Sequence, residues 1–285
     1  MWHIVLVALE HLGFDTAFIG KVGADMYGDF LRKTLVSNDV NCEGLISDQN
    51  AFTTLAFVGL DEKRERSFAF ARKPGADTQL ESQEVNKRII QDSRVFHIGS
   101  LSLTDEPART ATYDEIKIAK SAKCVMSYDP NYRAGLWPSV EIAARMMRSV
   151  LPYMDLVKMS EGECTLLTGY SDPKMAAAEI VKGGASVCAV TLGAAGAYVK
   201  TGTGDASVPT FPANIIDTTG AGDAFWGGFL AAFLQFGIAP NDISVQEAKM
   251  MARTGNAVAS LCVSKHGGIP SMPLRSDVKR VLDNS

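Results

Sequence analysis

The sequence predicts an α/β protein of three layers: helices on both faces of a mostly parallel central sheet, with a small β lid. Three observations carry this expectation. From residue 16 onward, short apolar runs alternate with segments whose apolar residues recur at helical spacing. Asp129, Thr191 and Asp217 each stand where an apolar run ends, and open parallel sheets bind ligands at the carboxyl ends of their strands. Two strand-like runs, 53–60 and 67–71, flank a short charged stretch, which is a hairpin signal inside the alternation.

Taken in order, residues 3–12 read as a helix ended by Gly13. A buried strand over 16–20, a turn over 21–25 and a helix over 27–37 follow. The hairpin, at about 52–77, suits a lid over a ligand site as well as it suits a plain surface ribbon. Alternation then resumes with a strand at 95–99, a helix near 106–122, a strand at 124–128 and a helix over 139–151. A short strand at 156–157 leads to helices over 160–167 and 174–182, and strands at 187–191 and 197–199 enclose Gly193-Ala194-Ala195-Gly196. The last third holds the helix after Gly220, one over 244–263 and a short terminal one. No repeat, low-complexity tract or long linker interrupts this pattern, so residues 1–285 read as one domain.

Composition narrows the function. A chain of 285 residues can bury one large core, and 46% hydrophobic with 21% charged residues is ordinary for a soluble protein. The net charge of -4 argues against nucleic acid as the main partner. Five scattered cysteines without a C-x-x-C pair favour reduced thiols in a cytoplasm. The apolar opening at 4–9 lacks a basic start and is cut by Glu10 and His11, so it is not expected to target the chain. The run at 224–239 is too short and glycine-rich for a membrane span.

The chain is organised around Asp217-Thr218-Thr219-Gly220-Ala221-Gly222-Asp223, which runs directly into an apolar helix. Threonines suit a helix cap, the two glycines permit a tight bend, and exposed amides with the helix dipole make an anion site. Asp223 could be merely a favourable charge at a helix start. Yet an anion site does not ordinarily want a carboxylate, and capping does not need two glycines. Other chemistries lack their signatures: the sequence has no P-loop, no complete dinucleotide fingerprint, no H-E-x-x-H and no G-x-S-x-G. The four histidines stand singly. An anion hole beside an aspartate suits phosphoryl transfer, with amides holding the moving charge while the carboxylate orients the attacking hydroxyl.

This stretch resembles the C-terminal motif of the ribokinase-like (PfkB-type) sugar kinases. The likeness extends over the chain, through Phe18-Ile19-Gly20-Lys21-Val22-Gly23 with Asp25 and Gly28, Asp129-Pro130-Asn131 with Arg133, Thr191-Leu192-Gly193, and Gly267-Gly268-Ile269-Pro270. Phe96-His97-Ile98-Gly99-Ser100-Leu101-Ser102 and Leu136-Trp137 resemble the fructokinase branch most. The resemblance implies ATP-dependent phosphorylation of a primary alcohol of a small sugar, with fructose ahead of 2-keto-3-deoxygluconate and ribose. It makes Asp223 the base and the amides of Gly220, Ala221 and Gly222 the anion hole. A helix N-terminus favours the ionised carboxylate, so Asp223 is expected to have a low pKa and to take the proton late.

Further residues follow from the resemblance. Glu163 matches the glutamate of an N-x-x-E motif that places Mg²⁺ through water, with Ser160 standing in the asparagine position. Arg133 falls near the transferred phosphate, Asn131 falls there too but suits a turn after Pro130 equally well, and Arg72, Ala76 and Asp77 fall near the sugar. Thr191, Gly193, Gly196 and Asn256 match the nucleotide site, and Asp217 matches a monovalent-cation site, K⁺ in this reading. Pairing through the lid implies a homodimer; neither nucleic acid nor membrane is expected as a partner. The family pattern begins well upstream of Met1, with a central strand that carries a sugar-binding aspartate and part of the lid. On that comparison the sequence reads as N-terminally truncated, which leaves a non-catalytic, nucleotide-binding remnant as the alternative. Loss of an interior strand would open a gap in the sheet or strand backbone groups without partners.

Overall fold

The computed structural model describes residues 2–60 and 66–284. Its main sheet has six strands, lying side by side in the order 204–208, 197–201, 187–191, 156–160, 125–128 and 95–98. Four of them run parallel: β5 (Val95–Ile98), β6 (Val125–Tyr128), β7 (Leu156–Ser160) and β8 (Val187–Thr191). The hairpin partners β9 (Ala197–Thr201) and β10 (Gly204–Val208) complete the sheet in antiparallel sense.

The period of two along the central strands divides the interior. Leu156, Val187 and Ala189 face one core, with α1 (Trp2–His11), α8 (Ala221–Phe236) and α9 (Val245–Cys262). Val157, Met159, Cys188 and Val190 face the other, with α4 (Ala108–Ser121), α5 (Val140–Val150) and α7 (Pro173–Lys182). Both faces are covered, which is why β7 and β8 read as apolar runs rather than alternating ones. Short helices α2 (Met26–Val36), α3 (Lys87–Gln91), α6 (Cys164–Thr168) and α10 (Arg275–Asp283) fill the remaining connections.

The N-terminal third forms two separate ribbons. β1 (Ala17–Gly23) pairs in parallel with β2 (Asn41–Asp48), and β3 (Leu55–Leu60) pairs antiparallel with β4 (Arg66–Ala71). The charged turn at 61–65 lies outside the described residues. Among the described residues β1 pairs only with β2 and β5 only with β6, and both line one cavity of about 1070 Å³. The central β structure is therefore split into two sheets with an apolar cleft between them.

Some element boundaries differ from the sequence reading. The strand after Gly13 runs on through Gly23 rather than turning at Lys21, because its pairing with β2 continues to Gly23 opposite Asp48. Asp25 then caps α2, accepting from the Tyr27 and Gly28 amides. The helix expected at 160–167 opens with one tight turn, in which Ser160 and Glu163 form a reciprocal capping box. β2 and β10 were not anticipated.

Glu115 on α4 lines the cleft, 7% exposed, and its Oε1 has no hydrogen-bond partner among the described residues. Burial pushes its pKa up to about 8. An acid raised in the folded state binds more protons there than in the unfolded chain, so its contribution to stability is full below about pH 4.5 and is lost as pH rises to about 8. Glu115→Gln should accordingly gain Tm over the parent chain as pH goes from 5 to 8, worth on the order of a few kcal/mol. A gap between the two melting curves that stays constant with pH would show that the carboxyl is solvated.

Candidate active site

Gly220 adopts φ +80° at the start of α8, a left-handed conformation that only glycine takes without strain. The turn is held from below by Asp217, whose Oδ1 accepts from the Thr219 amide at 2.9 Å and hydroxyl at 2.7 Å. Its Oδ2 accepts from the Gly267 amide at 2.9 Å. Of the three amides expected to form the anion hole, Ala221 donates to Thr218 O at 3.2 Å. The amides of Gly220 and Gly222 have no backbone carbonyl partner among the described residues, so these two remain for a ligand.

Asp223 follows in the first turn, 6% exposed, and lines the cleft. Asn131, at φ +50°, donates from Nδ2 to Asp223 Oδ1 at 3.4 Å. The expected low pKa of Asp223 is corrected here. Burial raises it, and the nearby cations Lys158 and Arg133 offset that only in part. The sequence reading weighed the helix dipole, but desolvation is the larger effect in this enclosed position.

Asp223, Gly220, Arg133, Arg72 and Asp77 all line the same cleft, so the predicted base, anion site and sugar-side residues are brought together. Arg72 is fixed by its surroundings. Its Nε donates to Asp77 Oδ2 at 2.8 Å, Nη1 to Thr104 Oγ1 at 2.7 Å, and Nη2 to Leu101 O at 2.8 Å. Thr54 donates to the other Asp77 oxygen, which ties the base of the β3–β4 ribbon to the cleft wall. Ala76 is fully buried beneath it.

Glu163 is 6% exposed and points inward. Oε1 accepts from the Tyr132 amide at 2.7 Å, and Oε2 from the Ser160 amide and hydroxyl, both at 2.7 Å. It therefore clamps the loop after β6 to the loop after β7. The residues matched to a nucleotide site form a second group, outside the cleft lining. Thr191 ends β8, and the tight turn at Gly193-Ala194-Ala195 brings Gly196 against Val208 and Thr210. Asn256, on α9, donates from Nδ2 to Val208 O and Pro209 O, each at 3.0 Å. Gly196 and Asn256 thus meet the same backbone segment.

Two charged residues went unassigned by sequence reasoning. Asp129, at the end of β6, is 1% exposed and takes a 2.9 Å hydrogen bond from Lys158 Nζ in the middle of β7. Burial, with Glu163 and Asp223 nearby, moves Asp129 up to about 7 despite that partner. Burial disfavours the Lys158 ammonium, yet the three carboxylates together raise its pKa. The available signal was a lysine inside an otherwise apolar strand, Leu156-Val157-Lys158-Met159.

The profile of the pfkB family carbohydrate kinases matches residues 5–275. The chain belongs to the pfkB family of carbohydrate kinases. This kinase is 39% identical over 280 residues to probable fructokinase-5 of Arabidopsis thaliana, covering 98% of this chain and 86% of the relative. It is 37% identical to fructokinase-1 of Zea mays, covering 99% and 87%. Among solved structures it is similar to a fructokinase from Xylella fastidiosa with bound ATP, with TM-score 0.92 and 32% identity over 99% of this chain and 89% of that one. A fructokinase from Vibrio cholerae O395 with fructose, ADP and calcium ion gives 0.88 and 30% over 98% and 89%. The ribokinase-like three-layer fold is therefore that of the carbohydrate kinases, and the chain is a sugar kinase by family.

Proposed function

We propose that this chain transfers the γ-phosphoryl group of ATP to a primary hydroxyl of fructose. The observation that carries the reading is a buried aspartate at the amide-rich start of α8, opening on a cleft that also holds Arg133, Arg72 and Asp77. The sugar oxygen forms the new bond to phosphorus, the bond to the bridging β–γ oxygen breaks, ADP departs, and the hydroxyl proton passes to the Asp223 carboxylate. A raised pKa makes Asp223 a better proton acceptor than a solvated aspartate. The Gly220 and Gly222 amides and the Arg133 guanidinium meet the charge on the moving group. Thr191, Gly193, Gly196 and Asn256 hold the nucleotide.

Mg²⁺ enters this reading with the nucleotide and screens its phosphate charges. Glu163, with both oxygens turned onto its own loops, fits a hold through water rather than direct ligation. Among the described residues no group of three metal-binding side chains is assembled. Asp217 orders the loop beneath α8 and is assigned to a monovalent cation such as K⁺. Residues 1–285 act as one kinase domain with the ribbon at about 52–77 as lid, and its exposed Phe52 and Phe57 support pairing of two copies there. Free thiols at all five cysteines support a reducing compartment, the cytoplasm. No helix among the described residues is long and apolar enough to cross a membrane.

The open cleft between β1 and β5 favours one second reading, a chain that binds nucleotide without turning over sugar. An ATP-coupled assay across fructose, 2-keto-3-deoxygluconate and ribose separates the possibilities. We expect the highest kcat/KM with fructose. A higher value for another sugar would reassign the substrate, and nucleotide binding with no turnover on any of them would favour the second reading.

A further inference from the structure

The chain buries a cation that the scheme above leaves unused. Lys158 sits at the centre of β7, 5% exposed, and a buried ammonium is costly unless paired and hydrogen-bonded. Asp129 supplies the pairing at 2.9 Å. The other side of the ammonium faces α8. A Cβ placed on Gly222 would lie 3.1 Å from Lys158 Nζ and 3.8 Å from Cε, with no other contact inside 4 Å. The ammonium is therefore seated under the first turn of α8, and Asp129 is the farther of the two charges. Gly222 does not have the positive φ of Gly220, so its backbone does not demand glycine. Its missing side chain is what leaves room for the lysine.

We propose that Lys158 is a positioning residue for phosphoryl transfer, a fixed cation beneath Gly222 that holds the first turn of α8 and adds positive potential to the anion pocket there. For its chemistry this rests on the kinase reading of α8. Three carboxylates face the ammonium: Asp129 from the end of β6, Glu163 from the turn after β7, and Asp223 from α8. Lys158, with Arg133, also offsets part of the burial that raises Asp223, the residue at the reacting end. In a site shielded from water, a charge this close to the Gly222 amide acts far more strongly than it would in bulk solvent. Lys158 does not reach the phosphate itself; it acts through the turn above it.

The test is orthophosphate binding to the full chain, read by thermal shift, with turnover measured on the same preparations. Lys158→Met leaves a net negative charge under the pocket, and should weaken orthophosphate about tenfold and lower kcat on the order of 10²-fold, with KM for both substrates within about threefold. Asp129→Asn removes the farther, opposite charge, so orthophosphate binding should hold or tighten. A pair that matters only for folding gives losses in both variants, in step with Tm. That pattern, or unchanged orthophosphate binding in Lys158→Met, overturns the proposal. Should Lys158→Met fail to fold, Lys158→Met/Asp129→Asn removes both buried charges together. A loss is expected in it too, at most tenfold and smaller to the extent that Asp129→Asn tightens binding, because the nearer charge has gone, and unchanged binding there is again the overturning result. Turnover by the unaltered chain is a separate arm. Weaker orthophosphate in Lys158→Met, alongside a parent chain that phosphorylates no sugar, sustains the Lys158 inference and removes the kinase reading.

Discussion

Asp223→Asn is expected to lower kcat on the order of 10³-fold while ATP affinity stays within about threefold of the parent chain. The substitution keeps the shape and the contact with Asn131 but removes the carboxylate proposed to take the sugar proton. ATP affinity should survive because the proposed nucleotide site, the turn after β8 and the amides of Gly220 and Gly222, is left in place by the change. Calorimetric titration with ATP and steady-state kinetics on one preparation decide it. Turnover within tenfold of the parent would show that the proton goes elsewhere and that Asp223 is only a helix-terminal charge.

Gly196→Ala should cost this chain a large share of its stability. Gly196 has φ +95° and ψ −126°, a region closed to other residues. The new Cβ would lie 2.1 Å from Val208 O and 2.7 Å from Thr210 N, both backbone atoms that cannot swing aside. We expect destabilisation of roughly 3 kcal/mol or more, with nucleotide affinity falling too, since Asn256 holds the same Val208 and Pro209 carbonyls. Gly202→Ala is the control: nothing lies within 4 Å of its added methyl, and it should change Tm little. Equal melting curves for the two variants would remove the steric account of the β8–β9 turn.

These two residues also mark how far the sequence could be read. The turn at 217–223 was legible because its signals are local: threonines, a positive-φ glycine and a helix start lie within seven residues. Gly196 was legible as a turn glycine but not for its reason. The strand that crowds it, β10, is Gly204-Asp205-Ala206-Ser207-Val208, small and polar as an edge strand is. β2 escaped for a like cause, since Asn41-Cys42-Glu43-Gly44 opens without alternation. Long-range consequences were the least legible. Helix position alone argued for a low pKa at Asp223, whereas burial reverses the direction. The double role of Glu163, clamping Tyr132 to Ser160, depends on a loop about thirty residues earlier in the chain, which no spacing rule encodes.

The split between the β1–β2 ribbon and the main sheet bears on substrate more than on phosphate chemistry. The residues proposed for the phosphate side follow β6 and β7 or open α8, within the main sheet and its helical cover. Arg72 and Asp77 hang on the ribbon side, across the cleft. Nucleotide binding should therefore be the more robust of the two functions, and sugar affinity the more sensitive to changes along β1 and β5.

On the proposed function, the start of α8 moves a phosphoryl group from ATP to fructose. Phosphorus NMR of ATP and Mg²⁺ with fructose and the purified chain tests it most directly. The γ-phosphate signal should be replaced by a sugar phosphomonoester and ADP, at a rate that collapses in Asp223→Asn. ATP that binds but gives no phosphomonoester, or one that forms equally fast in Asp223→Asn, would contradict it.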